Sequence, residues 1–428
     1  MGRDYYFDTA GSDDNDGSTP DSPLHSFACL RNRMLQPGDR VLLRRGCIFD
    51  QLLELRGQGT PEAFIQVTGY GEEDARPVIR RGGQIWERCV RLNDASYVRV
   101  SGLEVSHAGA GIVLFYDRSY GNRSVYLEDI VAHDFYGIYR ASGQSSRNPE
   151  WQAYTADDRV GFSMGICVTG RDTTPDNDRR VLTDFRVTDC EIYKTGGGIG
   201  LDWCDHRCCD GSVTGSNKFG DVMFDRLYLH DNDVPDVSLT SMFLQCVTGA
   251  VFSNSVIDNG AGGAPWGTAA VHLQLARRTI IDNVVIRNMP HTNVSDECGI
   301  DFESDVEDCL IRNCTFENNA GAAIEFLANF EISSMAVSRD VRIEDCRFIR
   351  NNWAALYEVP SQIHVQTWQH DNAPSGSIRN CVYVNPEGVG FLGGDGNIRY
   401  FRLSGNRALP VRREAAGTYS EREAAVDQ

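Results

Sequence analysis

Two short segments of the 428-residue chain set a carboxylate between apolar residues: ECGIDFESD (297–305) and AAIEFLA (322–328). Aligned, Ile300–Asp301–Phe302 lies over Ile324–Glu325–Phe326. In a β-strand alternate side chains point to opposite faces, so the apolar residues turn toward a core and Asp301, Glu303 and Glu325 turn away from it. Asp301 and Glu325 are 24 positions apart. One short coil of a stacked structure would place their Cα atoms about 5 Å from each other. Like charges in that relation are unfavourable in a purely structural sheet, and one of the two pKa values must rise. The arrangement suits a retaining glycosidase, whose nucleophile and proton donor stand about 5–5.5 Å apart. An inverting enzyme needs about 6.5–9.5 Å, which the diagonal Glu303–Glu325 or a pair including Asp202 would supply.

Registering the neighbouring segments gives one outward column, Asp202, Phe243, His272, Asp301, Glu325 and Tyr357, and a second, Cys204, Gln245, Gln274, Glu303 and Leu327. His272 above Asp301 would orient it or balance its charge. Gln245 and Gln274 would bond sugar hydroxyls, and Tyr357, Trp203, Trp266 and Trp353 would stack on pyranose faces. The insertion HTNVSDE (291–297), with His291, Asp296 and Glu297, reads first as a long loop and, alternatively, as one wall of a groove. The excursion 142–163, with Arg147, Trp151 and Tyr154, would form the other. Two other readings of the acids are a solvated acidic face and a metal site, calcium included. No cofactor is expected.

Other clusters carry less chemistry. Cys204, His206, Cys208 and Cys209 in CDHRCCD lack the second half of a zinc motif. Asp13, Asp14 and Asp16 in GSDDNDGS lack the closing glutamate of a calcium loop and read as Asx turns. GGGIG (196–200) reads as turn glycines, with no strand–helix context for a phosphate loop.

The elements that must position the acids follow from a repeat. DVMFDRLYLHDN (221–232), GAVFSNSVIDNG (249–260), RTIIDNVVIRN (278–288), DCLIRNCTFENN (308–319) and DVRIEDCRFIRNN (340–352) share alternating β-branched or aromatic residues and a terminal asparagine. Taking Asn232, Asn259, Asn288, Asn318 and Asn351 as equivalent, the spacings are 27, 29, 30 and 33 residues. A second short strand follows each turn: AAVHLQL, CGIDFES, AAIEFLA, AALYEVP. No helical period intervenes. Short strands with a period near 30 predict an all-β, single-stranded right-handed parallel β-helix, with side-chain amides laddered along the stack.

At the N-terminus DTAGSDDNDGSTPDSPLHSF, LQPGDRVLLRRG, FIQVTGYG and RPVIRRGG resemble the entry module of bacterial carbohydrate-active β-helix enzymes of the pectate-lyase-like superfamily. The expected organisation is a capping module with first coils (1–88), a β-helix (89–405) and a C-terminal cap or tail (406–428). The chain most resembles the β-helical glycoside hydrolases, which include β-xylosidases and fucosidases. In some of these families a strand aspartate nucleophile and a strand glutamate acid lie about one coil apart. The resemblance assigns Asp301 as nucleophile and Glu325 as general acid/base. The xylosidase-type inserted β-sandwich has no room here. The implied activity is a retaining, exo-acting hydrolase of oligosaccharides or small glycosides. A uronate-specific lyase or C5-epimerase needs positive charge at the substrate carboxylate, and neither Lys194 nor Lys218 falls in the outward columns. A non-catalytic carbohydrate-binding β-helix has no need of paired acids.

The formal charge of −19 and pI of about 4.9 disfavour nucleic acid and anionic membranes as partners. No apolar run reaches 18 residues. The N-terminal MGRDYYFDTAG is not a signal peptide, which makes a cytoplasmic setting the expectation. Fourteen cysteines, four in one sequence context (Cys190, Cys314, Cys346, Cys381), then read as small buried hydrophobes rather than disulfides. Oligomeric state does not follow from the sequence.

Overall fold

The computed structural model describes residues 2–136, 163–171, 179–201, 218–234, 240–262, 267–328, 337–367, 373–394 and 397–409. Among them every pairing between strands is parallel. The strands follow three ladders, two of which a single longer strand serves at Val251–Asp258 and at Ile280–Arg287, and their inward side chains merge into one apolar core. The chain has the right-handed parallel β-helix fold.

The ladder that matters for function runs through Leu53–Gln58, Arg88–Ser96, Ala110–Asp117, Met164–Arg171, Gly197–Leu201, Thr240–Thr248, Ala269–Arg277, Cys298–Ser304, Ile324–Ala328, Ser361–Thr367 and Gly390–Gly394. Its inward positions stack like on like: Val271, Ile300, Ile324 and Ile363 in one column, and Leu273, Phe302, Phe326 and Val365 in the next. The Phe302 and Phe326 rings lie 4.8 Å apart and 7° from parallel, which secures the register of the two strands that carry the acids.

The asparagine ladder exists, but as two adjacent columns. Asn259, Asn288 and Asn318 share a column with Asp231 and Arg350, all at positive φ, a conformation that Asn and Asp tolerate best among residues with a side chain. Their amides bond down the stack, Asn318 Nδ2 to Asn288 Oδ1 at 3.1 Å and Asn288 Nδ2 to Asp258 Oδ1 at 2.8 Å. Asn232 and Asn351 belong one residue further on, in a buried column with Asn319. There Asn319 Nδ2 donates to Asn351 Oδ1 (2.8 Å), and Asn351 Nδ2 donates to Gln362 Oε1 (2.9 Å) and to the Phe316 carbonyl (2.9 Å). Asn351→Ala would leave these buried groups unsatisfied, and unfolding in denaturant should show a loss of about 2–4 kcal/mol.

At the N-terminus, Asp4–Phe7 pairs with Arg40–Arg44 and a 3₁₀ turn spans Phe27–Leu30. Asp13 accepts bonds from the Ser26 amide (2.7 Å) and hydroxyl (2.6 Å), and Asp16 accepts from the Ser18 amide at 3.0 Å. Both are turn-forming acids. The glycines of 196–200 are not a turn: Gly197–Leu201 is a strand. A Cβ on Gly198 would fall 2.4 Å from the Ser241 carbonyl oxygen, so neighbouring backbone, not chain reversal, demands glycine there. The cysteines of the shared context are buried and free, and none of the described cysteines is in a disulfide. Cys314, Cys346 and Cys381 point their thiols toward carbonyls of the preceding coil. No helix among the described residues is long and apolar enough to cross a membrane.

Candidate active site

Strand register places His272, Asp301, Glu325 and His364 in one outward column, preceded by Phe243 and Gly200. Asp301 and Glu325 are direct partners on adjacent strands, with backbones about 4.8 Å apart. Two expected members are displaced. Gly200, not Asp202, precedes Phe243, and His364, not Tyr357, follows Glu325. The segment AALYEVP is not a strand but a loop, and the strand begins only at Ser361. The sequence signal for His364 is the triad Ile363–His364–Val365, which repeats Ile300–Asp301–Phe302 and Ile324–Glu325–Phe326.

The second column also shifts. Gln245 pairs with Gln274, and the Gln245 amide donates to the Gln274 carbonyl. Gln274 then pairs with Ser304, because a bulge falls between Leu273 and Gln274. Glu303 is therefore out of register with Gln274. It instead lies beside Asp301, whose charged form it favours, and His272, Asp301 and Glu303 each bring a ligand-capable atom within 4.8 Å of the others.

The acids point away from the core, yet they do not face solvent: Asp301 is 3 % exposed and Glu325 has no exposed surface. The loop 291–297 lies beside them. Its pivot is the buried Glu297, whose carboxylate accepts bonds from the Thr292 amide (2.6 Å), the Thr292 hydroxyl (3.1 Å), the Val294 amide (3.3 Å) and His291 Nδ1 (2.7 Å). His291 thus braces the loop, with its ring edge against Trp353. The next acid back, Asp296, at φ 71, lies near enough to Asp301, Glu303 and Glu325 for their charges to act on one another. Gly267, at φ 112, makes room for it, since a Cβ there would lie 2.0 Å from Asp296 Oδ2.

Tyr357 belongs to the site by a different route from the one its sequence position suggested. Its ring stacks on His364 (3.9 Å, 8°), and its hydroxyl is directed toward Glu325 at a geometry too poor for a formed hydrogen bond. Both Glu325 oxygens, Asp301 Oδ1, His272 Nε2, Gln245 Oε1 and the Tyr357 hydroxyl are buried without a well-formed partner. So many orphaned polar atoms in one place are costly in a folded protein unless a ligand uses them. Trp353 is half exposed, with its indole N–H donating to the Asn318 carbonyl at 3.2 Å. Asp202, Trp203, Trp266, Arg147, Trp151, Tyr154 and the cluster Cys204–Cys209 lie outside the described residues.

Charge follows from burial. Desolvation pushes Asp301 up to about 7, with Glu303 pulling the other way. Glu325 is held well above the ordinary carboxylate range by desolvation and by the neighbouring charges of Asp296 and Asp301. Asp296 is raised by desolvation and by the charges of Asp301, Glu303 and Glu297. Burial lowers His272 and keeps it neutral; its ring stacks on Phe243 (4.6 Å, 6°), and its Nδ1 is 2.9 Å from Asp301 Oδ2. As the Nδ1–H tautomer it donates to the Asp301 carboxylate. Burial raises both acids, but their neighbours differ: Glu303 favours the charged form of Asp301, whereas the charges of Asp296 and Asp301 favour the protonated form of Glu325.

The sequence profile of the right-handed beta helix region matches residues 164–335. The chain is similar to the crystal structures of GH136 lacto-N-biosidase from Eubacterium ramulus. For the native protein the identity is 18 % and the TM-score 0.69, over 95 % of this chain and 68 % of that one. For the selenomethionine derivative the identity is 18 % and the TM-score 0.68, over 95 % and 67 %. A rhamnogalacturonan lyase is similar at 14 % identity and TM-score 0.50, over 95 % of this chain and 87 % of the lyase. Comparison with curated protein sequences returns no match.

Proposed function

We propose that the protein is a glycoside hydrolase of the retaining type, acting on oligosaccharides or small glycosides. The observation that carries this reading is the directly registered, buried pair Asp301 and Glu325 with oxygens left unpartnered. Asp301 is the nucleophile: it accepts from His272 and attacks the anomeric carbon. Glu325 is the proton donor to the departing oxygen; once deprotonated, it draws a proton from the water that releases the sugar. In this reading Gln245, Gln274 and Asp296 bond sugar hydroxyls. The similarity to a lacto-N-biosidase supports a glycosidic substrate, and the lyase likeness points equally to the fold's other chemistry.

Because Glu325 has no exposed surface, substrate must displace Tyr357, whose backbone sits at φ 74 in the loop before Ser361. Tyr357→Ala should uncover Glu325, relieve its desolvation and lower its pKa. The general acid must be protonated, so the alkaline limb of the kcat/KM profile should move to lower pH by about one unit or more. A pH–rate series on the variant and the parent checks this.

A second reading rests on the convergence of His272, Asp301 and Glu303. A divalent cation held there would support uronate elimination or C5 epimerisation. A panel of aryl glycosides, run beside uronate polymers with and without EDTA, separates the two. Aryl alcohol release indifferent to EDTA supports the hydrolase. Metal-dependent formation of unsaturated uronate, without glycoside cleavage, overturns it.

A further inference from the structure

Well away from these acids, on a different ladder, the chain builds one arrangement twice. In the strand Val131–Phe135, His133 places Nδ1 2.6 Å from Asp134 Oδ2 and Nε2 3.3 Å from Glu104 Oε1. Two coils on, in the strand Tyr228–His230, His230 places Nδ1 2.9 Å from Asp231 Oδ2 and Nε2 3.1 Å from Glu191 Oε1. The register is shared, since His133 pairs with Tyr193 and Tyr193 with His230, and the three rings stack. Each copy is therefore an imidazole between two carboxylates, an electrostatic environment that favours a cation.

The copies differ in the residues that flank the aspartate on the neighbouring coils. Opposite Asp231, one coil earlier, stands Lys194, whose amide bonds the Asp231 carbonyl and whose charge lowers the Asp231 pKa. Opposite Asp134 the equivalent residue is His107: Ser106 pairs with His133 and Ala108 with Phe135. Lys194 lies on the coil between the two copies and its charge acts on Asp134 as well as Asp231, but only the upper copy carries a third ligand-forming side chain on the preceding coil. His107, His133 and Asp134 each offer an atom within 4.8 Å of the others, and His107 Nδ1 is buried with no hydrogen-bond partner. Tyr136 donates to Asp134 Oδ1 at 2.7 Å, the kind of outer contact that fixes a metal-binding carboxylate.

We propose that His107, His133 and Asp134 bind a divalent transition-metal ion of the zinc class and so join two adjacent coils, with Glu104 holding the far nitrogen of His133. Two imidazoles with a carboxylate suit Zn²⁺, Co²⁺ or Ni²⁺, and imidazole disfavours the hard Ca²⁺. The ion takes the place of the proton between His133 and Asp134, so binding releases protons and tightens as pH rises. Arg80, exposed and 3.4 Å from His107 Nε2, turns toward solvent when that nitrogen carries a proton. The role is structural and independent of the proposed hydrolysis.

The test is calorimetric titration of the EDTA-stripped full chain with Zn²⁺ and Co²⁺, beside thermal melts. One equivalent should bind, raise the melting temperature and, for Co²⁺, give the visible absorption of a four-coordinate ion. His107→Ala and Asp134→Asn should each weaken binding at least tenfold. His107→Lys, which copies the lower site, should abolish binding and keep the protein folded, and so carries the test if His107→Ala fails to fold. His230→Ala and Asp301→Asn should leave the affinity unchanged. Absence of binding, binding indifferent to His107→Lys, or binding lost with Asp301→Asn would each overturn the proposal.

Discussion

Asp301→Asn and Glu325→Gln should each lower glycoside hydrolysis by about a thousandfold or more, and they should fail in different ways. Removing a nucleophile stops formation of the covalent intermediate, whereas removing the proton donor spares substrates whose leaving group needs no proton. Glu325→Gln should therefore retain far more activity on an aryl glycoside with an acidic phenol than on an alkyl glycoside, and azide should restore turnover by attacking the accumulated intermediate. Asp301→Asn should be equally inert on both leaving groups. Identical residual activity of the two variants on every substrate would mean that the acids do not hold separate roles. Glu303→Gln supplies the contrast: Glu303 reaches the site through Asp301, so its loss should move the acidic limb of the pH profile more than the maximal rate.

The second large effect is on stability. Asp301 has its pKa raised from 3.8 to about 7 by burial, and Glu325 and Asp296 are raised as well. The folded state therefore holds protons that the unfolded chain releases, and stability falls as pH rises from about 4 through about 7. At about 1.4 kcal/mol per pKa unit, Asp301 alone accounts for a loss on the order of 4 kcal/mol at and above pH 7. Asp301→Asn and Glu325→Gln keep the shape and remove the titration. Both should melt higher than the parent at pH 8 and match it below pH 4, the opposite of what loss of a structural ion pair would do. Thermal melts across that range decide it. A parent whose stability is flat from pH 4 to 8 would mean that these carboxyls are solvated.

Gain of stability with loss of activity is the expected signature of groups held in a costly state for function. It separates this site from the surface ion pairs of the same protein, such as Arg312 on Asp282 at 2.7 Å. Exposed pairs of that kind contribute little when removed.

Much of the fold is legible in the sequence because the solenoid is local. Each coil repeats the same alternation, and a triad such as Ile324–Glu325–Phe326 declares which side chain faces the core. Asp301 over Glu325 and His272 over Asp301 follow from that alternation alone. What fails is counting across insertions. The segment from Trp353 to Pro360 interrupts the period, and treating it as strand moves Tyr357 into a column that belongs to His364. The bulge that releases Glu303 from its register with Gln274 has no composition signal. The asparagines mislead by one residue, because a turn residue at positive φ and a buried amide can each carry the same side chain. Burial of the acids is also illegible, since it depends on a loop pivoted on Glu297 and on Tyr357 folding back over Glu325, contacts that alternation does not encode.

The central claim is that Asp301 attacks the sugar, and the most direct measurement is to trap the product of that attack. Incubation with a slow-turnover fluorosugar matching the best substrate of the glycoside panel, followed by proteolysis and mass spectrometry, locates the adduct. The account predicts one equivalent of sugar esterified to Asp301, within the peptide that holds Cys298–Ser304. An adduct on Asp296 or Glu303, or steady hydrolysis of the parent substrate with no adduct anywhere, would contradict it.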